Sequence, residues 1–573
     1  MISSKDQQVL HLLNRSAFGP APGDFDRVRQ AGLKAYLEEQ LHPSQIDDSS
    51  GEERLRQLPT LTMSSEQLIE NYPPRKVLKA QGGRPEPQNA GVAHGQAGTN
   101  SMEGRPPQEP PAQLEAERLA AITGPQRVLV ELAREEIWRA VYSRRQLQEV
   151  MVQFWMNHFN IFAGKGADKW LLTSFERDAI RPHALGKFED LLVATAQSPA
   201  MLFYLDNWRS SAPPVSYVET LEGRKIPDVA EEYERQGFMR PPVFGGPFRR
   251  EIWLRRMQRR RLAAKRKSGG GLNENYGREL MELHTLGVNG GYTQQDVIEV
   301  ARCLTGWTIR RPRQQAEFYF NPRMHDYNPK IVLGHKFPAG RGMEDGLEVL
   351  HLLAHHPSTA RFISTQLCRR FVADDPPQSV VERASRAFQS SGGEIRKVVA
   401  TILTSPEFNS PAAYRAKVKS PLEFIASSMR AMGADTDAGL PVIGALARMG
   451  HPMFQYEAPS GYADRASTWI NSSTLVWRLN FAMLLATNRI PGTEVKLDRL
   501  LRVSGSRSRE EQVNAIAQQL LGEPASPETV EAILRKGNVG PKFENVDYLN
   551  GGNQREVSTI AGLLLASPQF QRR

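Results

Sequence analysis

Apolar side chains recur at three- and four-residue spacing along most of this 573-residue chain. Val9, Leu10, Leu12 and Leu13 begin the pattern, and Leu33, Tyr36, Leu37 and Leu41 continue it. The rhythm is strong through 113–205 and again from 343 onward. Such spacing puts one apolar stripe on each helix, and every stripe must be covered by another helix. Only Phe318-Tyr319-Phe320 and Ile331-Val332-Leu333 read as short strands, with Asn328-Pro329 among the turn residues between them. The expected fold is mainly α: a multi-helix globular fold with a small β-hairpin around 318–333.

Two stretches interrupt the helical pattern. Residues 80–112 are Gly, Pro, Gln and Asn with few large apolar groups, too little to offset ordering entropy, and read as a disordered linker. Residues 209–271 read as an irregular basic insertion. The expected organisation is an N-terminal helical part (1–79), the linker, a helical core (113–208), the basic insertion, and a second helical core with the hairpin (272–573). Together these form one large domain interrupted twice.

The net charge of +10 hints at nucleic acid until it is located. Arg249 to Lys267 carries ten Lys or Arg against Glu251 alone, a net of +9, so the remainder is nearly neutral. A polyanion-binding fold is therefore not expected, although the 249–267 loop suits an acidic partner or surface. No run of eighteen apolar residues is present, and the stretch after Met1 lacks a signal-peptide pattern, which favours the cytoplasm unless the true start lies upstream. Cys303 and Cys368 sit in helical patterns and read as buried free thiols.

Polar chemistry concentrates in three places. The first is Leu272–Gly287, which carries Glu274, Glu279, Glu282, Arg278, Asn273, Asn275 and His284. At about 100° per residue, Asn275, Glu279 and Glu282 share one stripe, and Arg278 can pair Glu274 or Glu282. His284 leaves the opposite side and is expected to fasten the following loop. Thr293 to Asp296 has the pattern of a helix cap. The stripe reads either as paired carboxylates for acid–base work or a cation, or as an ion-paired helix face. The second place is Phe154–Phe159, where His158 falls on the apolar stripe and needs a carbonyl, a carboxylate or a metal as partner. The third is the loop carrying His325 and Asp326.

These segments, with His11-Leu12-Leu13-Asn14-Arg15-Ser16-Ala17-Phe18-Gly19-Pro20, Arg302 to Trp307, His356 to Phe371 and Trp469 to Asn480, resemble the bacterial family called domain of unknown function 1800. The resemblance implies a largely helical protein, often encoded beside a sulfatase-like partner and often exported; it implies no reaction.

The resulting expectation is a metal- or acid/base-dependent hydrolase or transferase acting on a polar, carbohydrate-like substrate. Glu279, Glu282, His325 and Asp326 would be catalytic; Arg278, Asn275 and Asn157 would bind substrate. A divalent ion would sit on His158, Glu279, Glu282 and His325. The alternative is a non-catalytic helical scaffold or envelope-associated binding protein working with the sulfatase-like partner. The first reading requires all three places to meet in one hollow.

Overall fold

The computed structural model describes residues 4–74, 121–212, 217–219, 225–227, 271–505, 508–536 and 552–573. The fold is mainly α, with short antiparallel hairpins. All of the linker (80–112) and most of the basic insertion, including 249–267, lie outside the described residues. Inside that insertion Tyr217–Glu219 pairs with Lys225–Pro227, so this part is a short ladder and not irregular chain.

Helix starts follow local chemistry. Ser4 caps Lys5–Ser16 by accepting from the Gln7 N–H, and Thr293 and Asp296 form the expected reciprocal cap on Gln294–Cys303. Pro125 opens Pro125–Tyr142 from the first helical position, where its missing N–H costs nothing. The Ser-Pro pairs at 198–199, 405–406 and 567–568 are turn chemistry. Pro199 and Pro568 each begin a helix, and the Ser405 hydroxyl accepts from the Phe408 N–H in a turn.

One contiguous apolar core runs from Val9 in the first helix to Phe570 near the last residue. The Asn14-Arg15 motif serves this junction: Arg15 is fully buried and donates from Nη2 to the Ala413 carbonyl, while His11 Nε2 meets the Phe408 carbonyl at 2.9 Å. Cys303 and Cys368 are buried and free, and burial pushes both thiols up. Among the described residues no helix is long and apolar enough to cross a membrane.

The hairpin region differs in detail from expectation. The run at 318–320 does not pair with the run at 331–333. Glu317–Phe320 pairs with Trp307–Arg310, and Lys330–Val332 pairs with His335–Phe337. The tight Gly334 turn (φ 80°) closes the second hairpin locally, and Trp307, fully buried, anchors the first.

The polar helix is two structures in series. Glu274–Glu279 is α-helical, and Leu280–Thr285 is a π-helical turn in which the Leu286 N–H reaches back to the Met281 carbonyl at 2.8 Å. Gly277 sits where this helix crosses Gln294–Cys303; a Cβ there would lie 2.9 Å from the Val297 carbonyl oxygen. Close backbone approach thus explains the glycine in mid-helix.

Candidate functional site

The end of the Gln146–His158 helix, the π turn, the Pro357–Phe371 helix and the loop 451–465 enclose a cavity of about 470 Å³. Asn157, His158 and Glu282 line it, together with Glu136 from Pro125–Tyr142.

Two asparagines hold the loop in place. Asn157 Nδ2 donates to the Tyr462 carbonyl at 2.9 Å, and its Oδ1 accepts from the Tyr462 N–H at 2.8 Å. Asn160 Nδ2 donates to the carbonyls of Tyr456 and Ala458 at 3.0 and 2.8 Å. Gly461 lets the loop pass this close: φ is +63°, and a Cβ would fall 2.1 Å from the Asn157 carbonyl oxygen. Gly461→Ala is therefore expected to lower stability by about 2 kcal/mol or more, through strain and a displaced clamp. Chemical denaturation measures this; an unchanged midpoint would contradict the described loop geometry.

His158 takes the carbonyl option. Its Nε2 lies 3.1 Å from the His284 carbonyl oxygen, so that nitrogen donates and Nδ1 keeps the lone pair. Burial pulls its pKa down to about 4, keeping it neutral at pH 7. His284 is itself buried, its ring packs on Phe159 at 5.0 Å, and its Nε2 has no partner. Burial, then His158, lowers it to about 3. The expected loop-fastening role of the His284 ring is thus not what the structure has; its backbone carbonyl is the group in use.

The carboxylate stripe does not stay together. Glu282 lines the cavity and accepts from the Tyr292 hydroxyl at 3.4 Å. Glu279 is half-buried outside the lining, pushed up by burial and by Glu282, and its charge is felt by Tyr204. Asn275 is exposed. Asn275 and Glu279 precede the π turn, whose five-residue hydrogen bonding advances each residue by less than the α-helical 100° and so turns Glu282 off the line that they define. Arg278 resolves its two options toward Glu274 (3.8 Å) and also donates to Gln294 at 3.0 Å.

His325 and Asp326 do not reach the cavity. His325 is buried, with Nδ1 2.7 Å from the Thr305 carbonyl oxygen and Nε2 3.6 Å from Asp345. Asp326 takes Arg302 at 2.8 Å and the Asn328 N–H at 2.9 Å. Burial opposes ionisation there, but these donors outweigh it and hold the carboxyl below its usual range. Lys330 Nζ meets Asp345 at 2.7 Å. This buried ion-pair network fixes the hairpins, while His325 Nε2 and one Asp345 carboxylate oxygen have no hydrogen-bond partner among the described residues. Among the described residues, His158, Glu279, Glu282 and His325 do not assemble as a ligand group, so the expected four-residue metal centre is not formed.

The cavity's other walls went unread in the sequence. Tyr456, Tyr462 and Trp469 form a connected aromatic surface, with ring centroids 4.3 Å apart for Tyr456–Tyr462 and 5.1 Å for Tyr462–Trp469. His451 packs on both Tyr462 and Trp469, and burial lowers it to about 4. Arg370 stands in the wall, bound to Glu423 at 2.6 Å. Lys417 grips Asp374 and Asp464 at 2.6 and 2.8 Å.

Glu136 is the group with the most unusual environment. No described side chain or backbone group hydrogen-bonds or ion-pairs with its carboxyl. Burial, then Glu176 and Glu135, push it up to about 8. Those neighbours are tied to arginines behind it: Arg181 bridges Glu149 (2.8 Å) and Glu176 (2.6 Å), and Arg139 holds Glu135 (2.8 Å). An acid in an amphipathic helix carries no local signal of this; tertiary packing alone sets it. The arrangement supplies a protonated carboxyl, two neutral imidazoles, a second carboxylate and an aromatic platform around one hollow.

No curated protein and no solved structure matches the chain. The two asparagine clamps, the His158–His284 contact and the buried Arg15 join segments far apart in sequence, and one family profile, described as "Protein of unknown function (DUF1800)", spans them all by matching residues 11–572: the chain belongs to that family.

Proposed function

We propose that this protein is an acid/base hydrolase or transferase acting on a polar, carbohydrate-like substrate in the 470 Å³ cavity, through a centre other than the three-segment one expected from the sequence, since His325 and Asp326 lie outside that cavity. The supporting observation is Glu136, a carboxyl with no hydrogen-bond or ion-pair partner among the described residues, which lines the same cavity as Glu282 and is pushed up to about 8 by burial and by Glu176 and Glu135. A general acid needs a pKa near the working pH, and a second group able to accept a proton completes a donor–acceptor pair. Glu136 is the acid; Glu282 or the Nδ1 lone pair of His158 is the base. Tyr456, Tyr462 and Trp469 offer flat apolar faces to the C–H side of a sugar ring, while the arginines and carboxyls meet its hydroxyls. The acid/base version of the reading is preferred to the metal version because, among the described residues, the four expected ligands do not assemble as a ligand group.

A second reading, a non-catalytic scaffold or binding protein working with a sulfatase-like partner, is favoured by one observation. Asn157 and Asn160 spend their side chains on the loop and not on the hollow.

The test is a panel of neutral, acidic and amino oligosaccharides, read by quenching of tryptophan fluorescence and by product release. Saturable quenching that Tyr456→Ala weakens about tenfold supports a polar-ligand site. Turnover lost by about 10²-fold or more in Glu136→Gln, with binding retained, supports catalysis. Binding without turnover favours the second reading. No saturable binding by any oligosaccharide would overturn the substrate class.

A further inference from the structure

Away from the cavity, two helices bring together a set of side chains that the acid/base reading does not use. Met343–Ala354 carries His351, and His355 follows at its C-cap, an i,i+4 pair on one helix face. Phe188–Gln197 packs against that face and presents Glu189 from its first turn. Glu189 Oε1 lies 2.9 Å from His351 Nδ1, and its Oε2 lies 3.8 Å from His355 Nε2. The two imidazole centroids are 4.3 Å apart, and one donor atom from each of the three residues falls within 4.8 Å of the others. None of the three lines the cavity.

We infer that Glu189, His351 and His355 form a surface site for a divalent transition-metal ion of the zinc class. The donor set is two imidazoles and one carboxylate, which suits zinc, nickel or copper and not magnesium or calcium. A tetrahedral ion with bonds of about 2.0–2.2 Å sets its ligand atoms about 3.4 Å apart. The two observed nitrogen–oxygen separations straddle that value, so an ion needs only small side-chain shifts to enter.

The second observation is the orientation of His355. Its Nδ1 is 3.0 Å from the His351 carbonyl oxygen, so that nitrogen carries the proton and donates. Nε2, the nitrogen facing Glu189, therefore keeps its lone pair. Metal-ligating histidines are commonly fixed this way by their other ring nitrogen. His351 Nδ1 donates to Glu189 Oε1 at 2.9 Å, so an entering metal ion would displace that proton and then use the lone pairs of both rings, relieving the repulsion that two imidazolium rings this close would have. Exposed His–Glu pairs are in any case worth little. Three protein ligands leave at least one position for water or an incoming donor.

The site links the helix that supports His325 and Lys330 through Asp345 to the helix Phe188–Gln197. Occupancy would clamp these two helices without touching the cavity chemistry.

The test uses the full chain freed of metal with a chelator and titrated calorimetrically with zinc chloride at pH 7.5. Cobalt chloride follows as a spectroscopic probe. The expected result is one tight zinc equivalent per chain, and a visible cobalt band of tetrahedral type. His351→Gln, His355→Gln and Glu189→Gln should each weaken that equivalent by more than about tenfold, and the triple variant should lose it. The residues are partly exposed, so all variants should keep wild-type circular dichroism and melting in the absence of metal. No tight equivalent in the wild type, or an equivalent that survives in the folded triple variant, overturns the site. A result in either direction leaves the Glu136 reading to its own oligosaccharide test.

Discussion

Replacing Glu423 with Gln is expected to destabilise the protein by about 3–5 kcal/mol, the usual cost of stranding buried cations. Glu423 is 4 % exposed, accepts from Arg370 at 2.6 Å and from the Ser420 N–H at 2.8 Å, and forms an ion pair with Arg573 at 3.0 Å. Arg370 and Arg573 are themselves buried, and several of their nitrogens have no other partner. Burial alone would raise this carboxyl; the two guanidiniums outweigh it and bring the pKa to about 2. A lowered carboxylate stabilises the fold above its unfolded pKa, near 4.5, and that contribution disappears as pH falls towards 2. At about 1.4 kcal/mol per pH unit the pH-dependent part amounts to about 3 kcal/mol. Urea unfolding of both proteins between pH 7 and pH 3 measures it. The gap should be widest at neutral pH and shrink on acidification; a constant gap, or one below about 1 kcal/mol, would contradict the described pairing.

Glu136→Gln is expected to act in the opposite direction. A carboxyl whose folded pKa is about 8 stays protonated while the unfolded chain ionises, so folding loses stability from about pH 4.5 up to pH 8. The amide keeps the shape and removes that cost. The variant should match the wild type at pH 4 and be more stable at pH 8, by about 2 kcal/mol or more. Increased stability with lost function is the pattern of a site residue, because sites hold groups in states the fold alone would not choose. Equal thermal stability at both pH values would mean that Glu136 ionises normally, and the proton-donor role would go with it.

The two carboxyls show why local pattern reads one kind of feature and misses another. Glu423 was half legible: Ser420 and Glu423 stand at capping-box spacing, and the structure has that cap. Its burial against Arg573, 150 positions later, was not legible. Glu136 sits in an ordinary amphipathic helix and became unusual only when Glu135, Glu176 and Arg181 were packed around it. The stripe of Asn275, Glu279 and Glu282 failed for a different reason. A helical wheel assumes a constant angle per residue, and the π turn at Leu280–Thr285 breaks that assumption where it mattered. His325 looked like loop chemistry because Asp and Asn explain turns and His does not; its partner Asp345 lies on a later helix.

The sequence by itself determined the helices, many of their caps and the family, because these depend on spacing and on contacts within a few residues. It also led to three lining groups, Asn157, His158 and Glu282. Only the tertiary structure decided which polar groups share a hollow and which merely hold the fold, since proton affinity and ligand geometry depend on what packs alongside from distant parts of the chain.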